Sequence, residues 1–203
     1  MISVEEALQS VLSATGLQPP ENVQAFQAIE RVVASDIHSG CPLPPFDNSA
    51  MDGFALYCPE EGLRAGLEFC VSAWQAAGDA AADGLAGTCC EIMTGACLPQ
   101  GFNAVVPIEQ VEILDVDAGS MPLKIRLNMS AVMNQHIRMA GEDVAVGEKI
   151  IASGTRLDSR HLMVLAALGI AEIPVRQRVK AAVICTGREL VDDPTQELLS
   201  GQI

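Results

Sequence analysis

The segment from Cys41 to Gly53, CPLPPFDNSAMDG, constrains the fold of this chain more than any other stretch. Each of its three prolines fixes φ and removes a backbone donor, so the segment can be neither an interior helix nor a central strand. A polar segment stiffened in this way holds its side chains in fixed directions. Two readings follow. One is a rigid surface loop whose Asp and Asn cap their own backbone. The other is a scaffold that presents carboxylates and hydroxyls to a ligand.

The chain is organised differently on the two sides of this segment. Before it, Ser3 and Glu6 form a capping box ahead of Val4, Ala7, Leu8, Val11 and Leu12 at helical spacing, and Gly16, Pro19 and Pro20 end the helix. A second helical pattern runs from Phe26 to Ala34, with Ile29, Val32 and Val33 on one face. After it, from Phe54 to about Val146, helical periodicity fades and short apolar runs are divided by Gly, Asp and Pro. Strands are predicted at Phe54–Tyr57, Glu68–Ala73, Cys89–Met93, Ala104–Pro107, Val111–Leu114 and Leu123–Leu127, which describes a compact β-rich module. Ala80–Gly87 reads as a loop.

Beyond Gly147 come a strand at Lys149–Ile151, a helix capped by Asp158 and ended by Gly169, and strands at Ile173–Val175 and Val179–Cys185. The last, VKAAVIC, has the near-continuous apolar character of a parallel strand buried on both faces. Only eighteen residues follow Cys185, too few to complete an α/β sheet by parallel crossovers. Either the sheet borrows strands from elsewhere or the chain is cut inside an α/β domain, and the cut is the expectation.

Charge narrows the ligands. Residues 1–123 hold 17 acids against two bases, Arg31 and Arg64, whereas residues 124–203 hold 9 acids against 10 bases. The first part is therefore near -15 and the remainder near +1. Such an acidic surface excludes non-specific nucleic-acid binding and favours cations; an anionic ligand would be held by the later half or by a partner chain. The core must be aliphatic, because aromatics make up 3% of a chain that is 49% hydrophobic. Seven cysteines without a CxxC pair read as free thiols in a reducing compartment, and His38, His136 and His161 do not cluster with them as a zinc site requires. MISVEEALQS lacks the basic and apolar regions of a signal peptide, and no apolar run reaches the length of a membrane span. The expected location is the cytoplasm.

Four segments place a carboxylate or hydroxyl beside a glycine, where backbone amides can approach a ligand: Asp47–Gly53, Met93-Thr94-Gly95-Ala96, Gly141-Glu142-Asp143 and Thr186-Gly187-Arg188-Glu189. Open carboxylates suit Mg²⁺, which commonly bridges protein to phosphate oxygens, and hydroxyls with turn amides suit oxyanions. Taken singly, each is also an ordinary solvated turn or strand exit. No GxSxG elbow, Walker loop or GxGxxG competes with them. His161 reads as a helix-surface or packing residue, and His136, beside Arg138, as a candidate ligand contact.

Taken in order, PPFDNSAMDGFAL, EIMTGACLPQGFNAVVPIEQ, HIRMAGEDVAVGEKI and VKAAVICTGREL resemble the MoeA family of molybdopterin molybdenumtransferases, which is similar also to the C-terminal part of gephyrin. The resemblance runs through essentially the whole chain. It implies the last step of molybdenum cofactor synthesis, in which molybdate is placed on adenylylated molybdopterin and AMP is released with Mg²⁺ present. It implies a homodimer whose cleft lies between the β-rich domain of one subunit and the α/β domain of the other, with contacts to other molybdenum cofactor biosynthesis proteins. The fold class implied is multidomain, α+β with α/β. A β-rich domain (38–148) is inserted in a discontinuous linker domain (15–37 and 149–177), and 1–14 with 178–203 form an incomplete α/β portion.

By the same resemblance Asp52, Thr94, Asp143 and Glu189 are the catalytic candidates, with Asp52 and Glu189 also the metal ligands. Asn48, Ser49, Arg138 and Glu142 are candidates to contact the pterin nucleotide. Cys97 stands where the family commonly has Pro, which changes loop stiffness. Arg188 stands where an acidic or small residue is common, and puts a cation beside Glu189. Family members continue for roughly as many residues again, so the alternative is a non-catalytic fragment that dimerises or scaffolds.

Overall fold

Two buried cores organise the fold, as shown by a computed structural model that describes residues 2–203. In chain order the elements are α1 (Val4–Ala14), β1 (Pro20–Gln24), β2 (Ile37–His38), β3 (Asn48–Ser49), β4 (Gly53–Leu56), β5 (Glu68–Gln75), β6 (Thr88–Ile92), β7 (Ala104–Pro107), β8 (Val111–Val116), β9 (Pro122–Leu127), β10 (Ile137–Arg138), β11 (Lys149–Ile151), α2 (Ser159–Ala167) and β12 (Glu172–Arg176). The architecture is mostly sheet with few helices.

Strands β4 to β9 form one six-stranded sheet in spatial order β7-β4-β6-β5-β9-β8. All its pairs are antiparallel except β5–β6, which is parallel. Phe54, Leu56, Cys89, Val106, Ile125 and Leu127 fill one face. Ala55, Cys90, Ile92, Val105 and Phe102 pack on the other. Because both faces are covered there, GFAL (β4) and AVVP (β7) are unbroken apolar runs and every residue in them is buried. In β5 and β8 one face meets solvent, so polar residues intervene.

The second core contains Ala28, Val33, Ile37, Ile151, Leu157, Leu165, Ile173 and Val175. It draws only on residues before and after the six-stranded sheet. The antiparallel pairs β1–β12 and β2–β11 tie those two stretches together. Asp158 starts α2 as its sequence position demands. Its carboxylate accepts from the Arg160 and His161 amides at 3.0 and 3.4 Å, and Gly169 leaves the helix at φ +67°. His161 is part of this cap, with Nδ1 2.8 Å from Asp158 Oδ1. The Ser3 capping box also forms, with Glu6 N donating to Ser3 Oγ at 3.1 Å and Ser3 N donating to Glu6 Oε2 at 2.8 Å.

The strands predicted at 54–57, 68–73, 89–93, 104–107, 111–114, 123–127, 149–151 and 173–175 all form, each end within two residues of its predicted place. Two expectations fail. The helix predicted over Phe26–Ala34 is a single 3₁₀ turn at Ala25–Gln27. Glu30 at φ +69° breaks any helical path, and β-branched Val32 and Val33 instead form bridges to Arg156 and Val175. The strand predicted at Val179–Cys185 does not form. Val183 and Ile184 are 91% and 82% exposed, because among the described residues no neighbouring strand accepts their backbone. The expected α/β portion thus has no sheet in residues 178–203, and none of the α1 residues is buried.

Candidate functional site: an acidic corner at the end of the sheet

The proline-rich segment runs into β3 and β4, and its stiffness aligns a short ribbon. On one side Ser49 N donates to Ala96 O at 3.0 Å, Gly95 N to Ser49 O at 2.8 Å, and Leu98 N to Asp47 O at 2.9 Å. On the other side β3 pairs with β10 in the register Asn48↔Arg138 and Ser49↔Ile137. Residues 47–49 are therefore the middle strand between the loop carrying Thr94 and the loop carrying Arg138. Three of the four motif segments meet here.

Asp52 and Thr94 are in direct contact. Asp52 Oδ1 accepts from both the Thr94 amide and the Thr94 hydroxyl, each at 2.7 Å. These two donors, the amide first, hold the Asp52 carboxyl below its usual range. Both bonds fall on one oxygen, so Oδ2 takes none among the described residues. Both residues are exposed. Asp52 owes its place to Gly53, which lies against β7. A Cβ on Gly53 would sit 2.8 Å from Pro107 Cα and closer still to the Val106 carbonyl oxygen.

The neighbouring loop is built on Arg138. Its Nε donates to Glu142 Oε1 and its Nη2 to Asp143 Oδ2, each at 2.6 Å. These carboxylates, Glu142 first, raise the guanidinium pKa above its ordinary value. Glu142 Oε2 also accepts from Met139 N at 3.0 Å. One cation against two anions leaves the loop net negative, and Asp52 adds to it. The corner therefore suits a cation, or an anion bridged by one, rather than a bare oxyanion.

Asn48 and Ser49 turn inward. Ser49 is 1% exposed and its hydroxyl donates to Met51 O at 2.6 Å; Asn48 is 8% exposed and its amide donates to Phe46 O at 3.1 Å. Both side chains thus hold the turn that presents Asp52. His136 sits at φ +52°, with its carbonyl accepting from Ala50 N at 2.9 Å, so its backbone shapes the ribbon. Cys97 bridges Asn48.

Glu189 does not join this group. It lies in the stretch after β12 that carries no helix or strand, with its side chain folded over Gly187 and its carbonyl accepting from Ile203 N at 2.6 Å. No cluster of three or more His, Cys, Asp or Glu able to hold a metal occurs among the described residues. Among the described residues no hydrogen bond links the Glu189 side chain to Asp52, Thr94 or the Arg138 loop. Asp52, with one oxygen fixed and the other open, fits a Mg²⁺ that keeps several waters and takes further oxygens from a phosphate.

Asp47 has a role that its place in the sequence does not announce. Its Oδ1 accepts from Ala140 N at 2.7 Å while its carbonyl holds Leu98 N, so one residue ties both flanking loops to the ribbon. An Asp directly after two prolines and a Phe was the available signal. All seven cysteines are free thiols. Among the described residues no helix is long and apolar enough to cross a membrane.

Fold and site together define a class: a mostly-sheet module in which three turn segments converge on an acidic carboxylate–hydroxyl corner. The family model described as MoeA N-terminal region (domain I and II) matches residues 2–169, and the chain belongs to that family. Among curated relatives, molybdopterin molybdenumtransferase of Synechococcus elongatus is 34% identical over all of this chain and 50% of its own length. Molybdopterin molybdenumtransferase 2 of Mycobacterium tuberculosis is 36% identical over all of this chain and 49% of its own. A crystal structure of the molybdopterin biosynthesis MoeA protein from Pyrococcus horikoshii superposes with a TM-score of 0.80 at 29% identity, covering 100% of this chain and 51% of that one. The chain spans about half the length of the curated relatives it matches.

Proposed function

We propose that this chain supplies one wall of the active-site cleft of a molybdopterin molybdenumtransferase. The reaction is insertion of molybdate into adenylylated molybdopterin with release of AMP. The convergence of the Asp52, Thr94 and Arg138–Asp143 segments on one ribbon carries this reading, because sites for phosphate chemistry need such groups held rigidly. Thr94 fixes Asp52 in its ionised form and aims its free oxygen outward. Arg138 holds Glu142 and Asp143 together in one loop, and Asp47, Asn48 and Ser49 keep the two loops in register. Asp52, and Glu189 from across the cleft, would hold Mg²⁺, which when bound offsets the charge of the phosphates against this acidic wall.

The opposite wall comes from a second subunit in a homodimer. The separation of Glu189 from Asp52 within the chain supports that arrangement. The division into an inserted β-rich domain (38–148), a discontinuous linker domain (15–37 and 149–177) and an α/β portion (1–14 and 178–203) is supported by a second core that excludes the six-stranded sheet. The lack of a sheet after β12 favours a second reading for the chain by itself, a dimerising or scaffolding piece without activity. AMP release from adenylylated molybdopterin, molybdate and Mg²⁺ separates them. A chimera in which residues 1–203 replace the matching half of the Synechococcus elongatus relative is expected to release AMP, and the chain alone is not. An inactive but folded chimera would refute the transferase reading.

A further inference from the structure

A cleft of about 690 Å³, lined by none of the acidic-corner residues, opens between the entry to β1 and the exit from β12. Leu17, Ile29, Val32 and Val179 give it apolar walls, and Arg31, Arg176 and Arg178 line it. This is unexpected in a chain of net charge -14. One of only two bases in the first 123 residues, Arg31, is spent here.

The arginines are fixed in place. The Arg31 side chain is 10% exposed, pairs with Glu21, and donates through Nη2 to Arg176 O at 2.6 Å. Arg176 donates through Nη1 to Gln18 O at 3.1 Å and through Nη2 to Ala34 O at 3.4 Å, and has no carboxylate partner among the described residues. Carbonyls orient its guanidinium without neutralising it. Arg178 stands exposed on the rim. The one carboxylate of the lining, Glu30, is engaged by Arg156. A half-buried, oriented guanidinium with unused donors, a second one beside it and apolar walls that lower the local dielectric suit a doubly charged tetrahedral oxyanion.

We propose that this cleft is a binding site for a phosphate-bearing small molecule, with Arg176 and Arg178 as its ligands and Arg31 as the buried support. The site is independent of the transferase reading and does not stand or fall with it.

Inorganic phosphate, titrated into the 203-residue chain and followed by amide chemical shifts, tests it. Saturable shifts are expected at residues 16–18, 29–32 and 176–179. Arg176→Gln and Arg178→Gln are each expected to weaken binding roughly tenfold or more, as loss of a charge-assisted bond does, and Arg64→Gln to leave it unchanged. Acetate at equal ionic strength is expected to bind at least roughly tenfold more weakly, since it carries one charge rather than two. Because Arg176 also holds two carbonyls, Arg178→Gln alone decides the matter if Arg176→Gln does not fold. Absence of saturation, shifts centred elsewhere, unchanged affinity in a folded Arg176 or Arg178 variant, or acetate binding as tightly as phosphate would overturn the assignment.

Discussion

Asp52 and Thr94, 42 positions apart in the chain, are joined twice through a single carboxylate oxygen, by the Thr94 amide and by its hydroxyl, each at 2.7 Å. The arrangement polarises the site. One oxygen of Asp52 is immobilised, the other is open, and the group stays ionised to lower pH than a free aspartate.

Thr94→Val removes the hydroxyl donor and keeps the amide. The Asp52 pKa is expected to rise towards its ordinary 3.8 yet remain below it, because the amide is the larger cause. As a carboxylate with a depressed folded-state pKa, Asp52 contributes its stabilisation above 3.8, and that contribution is lost as pH falls through the folded value. Thr94→Val should therefore narrow the difference between folded and unfolded titrations on the acid side only. Carboxyl-carbon NMR titration reads the midpoint directly, and equal midpoints in the two proteins would contradict the hydrogen-bond origin of the shift.

Gly53→Ala places a methyl group against the β7 backbone, where no flexible side chain can yield. The chain must part β4 from β7, and a loss of about 1–3 kcal/mol or more is expected, as for overpacked interiors. Urea denaturation measures it. A variant as stable as the parent would mean that the close approach of Gly53 to Val106 and Pro107 is not obligatory.

The six-stranded sheet was legible because its strands are short, apolar and bounded by turn residues. The run at 104–107 is wholly apolar, and at 111–116 β-branched and apolar residues are interrupted only by Glu112 and Asp115 on the solvent side, so neither has many alternatives. The stretch from Phe26 to Ala34 misled because apolar residues buried through bridges mimic helical spacing: Ala28 and Val33 reach one core by an irregular path. VKAAVIC misled in another way, since a strand is defined by its neighbours and none is present among the described residues. At the site, the residue types in each segment were readable but their pairing was not. Nothing local to Asp52 names Thr94 as its partner, and nothing in FDNS reveals that Asp47 reaches Ala140 across 93 positions.

Asp47→Ala leaves the Ala140 amide without its acceptor. Native-state hydrogen exchange at Ala140 is expected to quicken roughly tenfold, in line with the loss of one such bond. Exchange in the six-stranded sheet should stay unchanged. Equal protection of Ala140 in both proteins would remove Asp47 from its tethering role.

The thiols divide by burial. Burial pushes Cys89 up to about 12 and Cys90 up to about 11, and it also raises Cys58. Because the thiolate is the reactive form, iodoacetamide at pH 8 is expected to modify exposed Cys70 and Cys185 in the folded chain and to spare Cys58, Cys89 and Cys90 until denaturant is added. Mass spectrometry of peptides reads the order. Early modification of Cys89 would place it outside the sheet core.

The most direct test of the central claim is the rate of AMP release by the chimera carrying Asp52→Asn. The amide keeps the shape and the bond to Thr94 N while removing the charge. A fall on the order of 10²–10³-fold, the scale of losing one preorganised electrostatic contact, is predicted with the fold intact. An Asp52→Asn chimera that releases AMP at the parental rate would show that the acidic corner is not part of the catalytic wall.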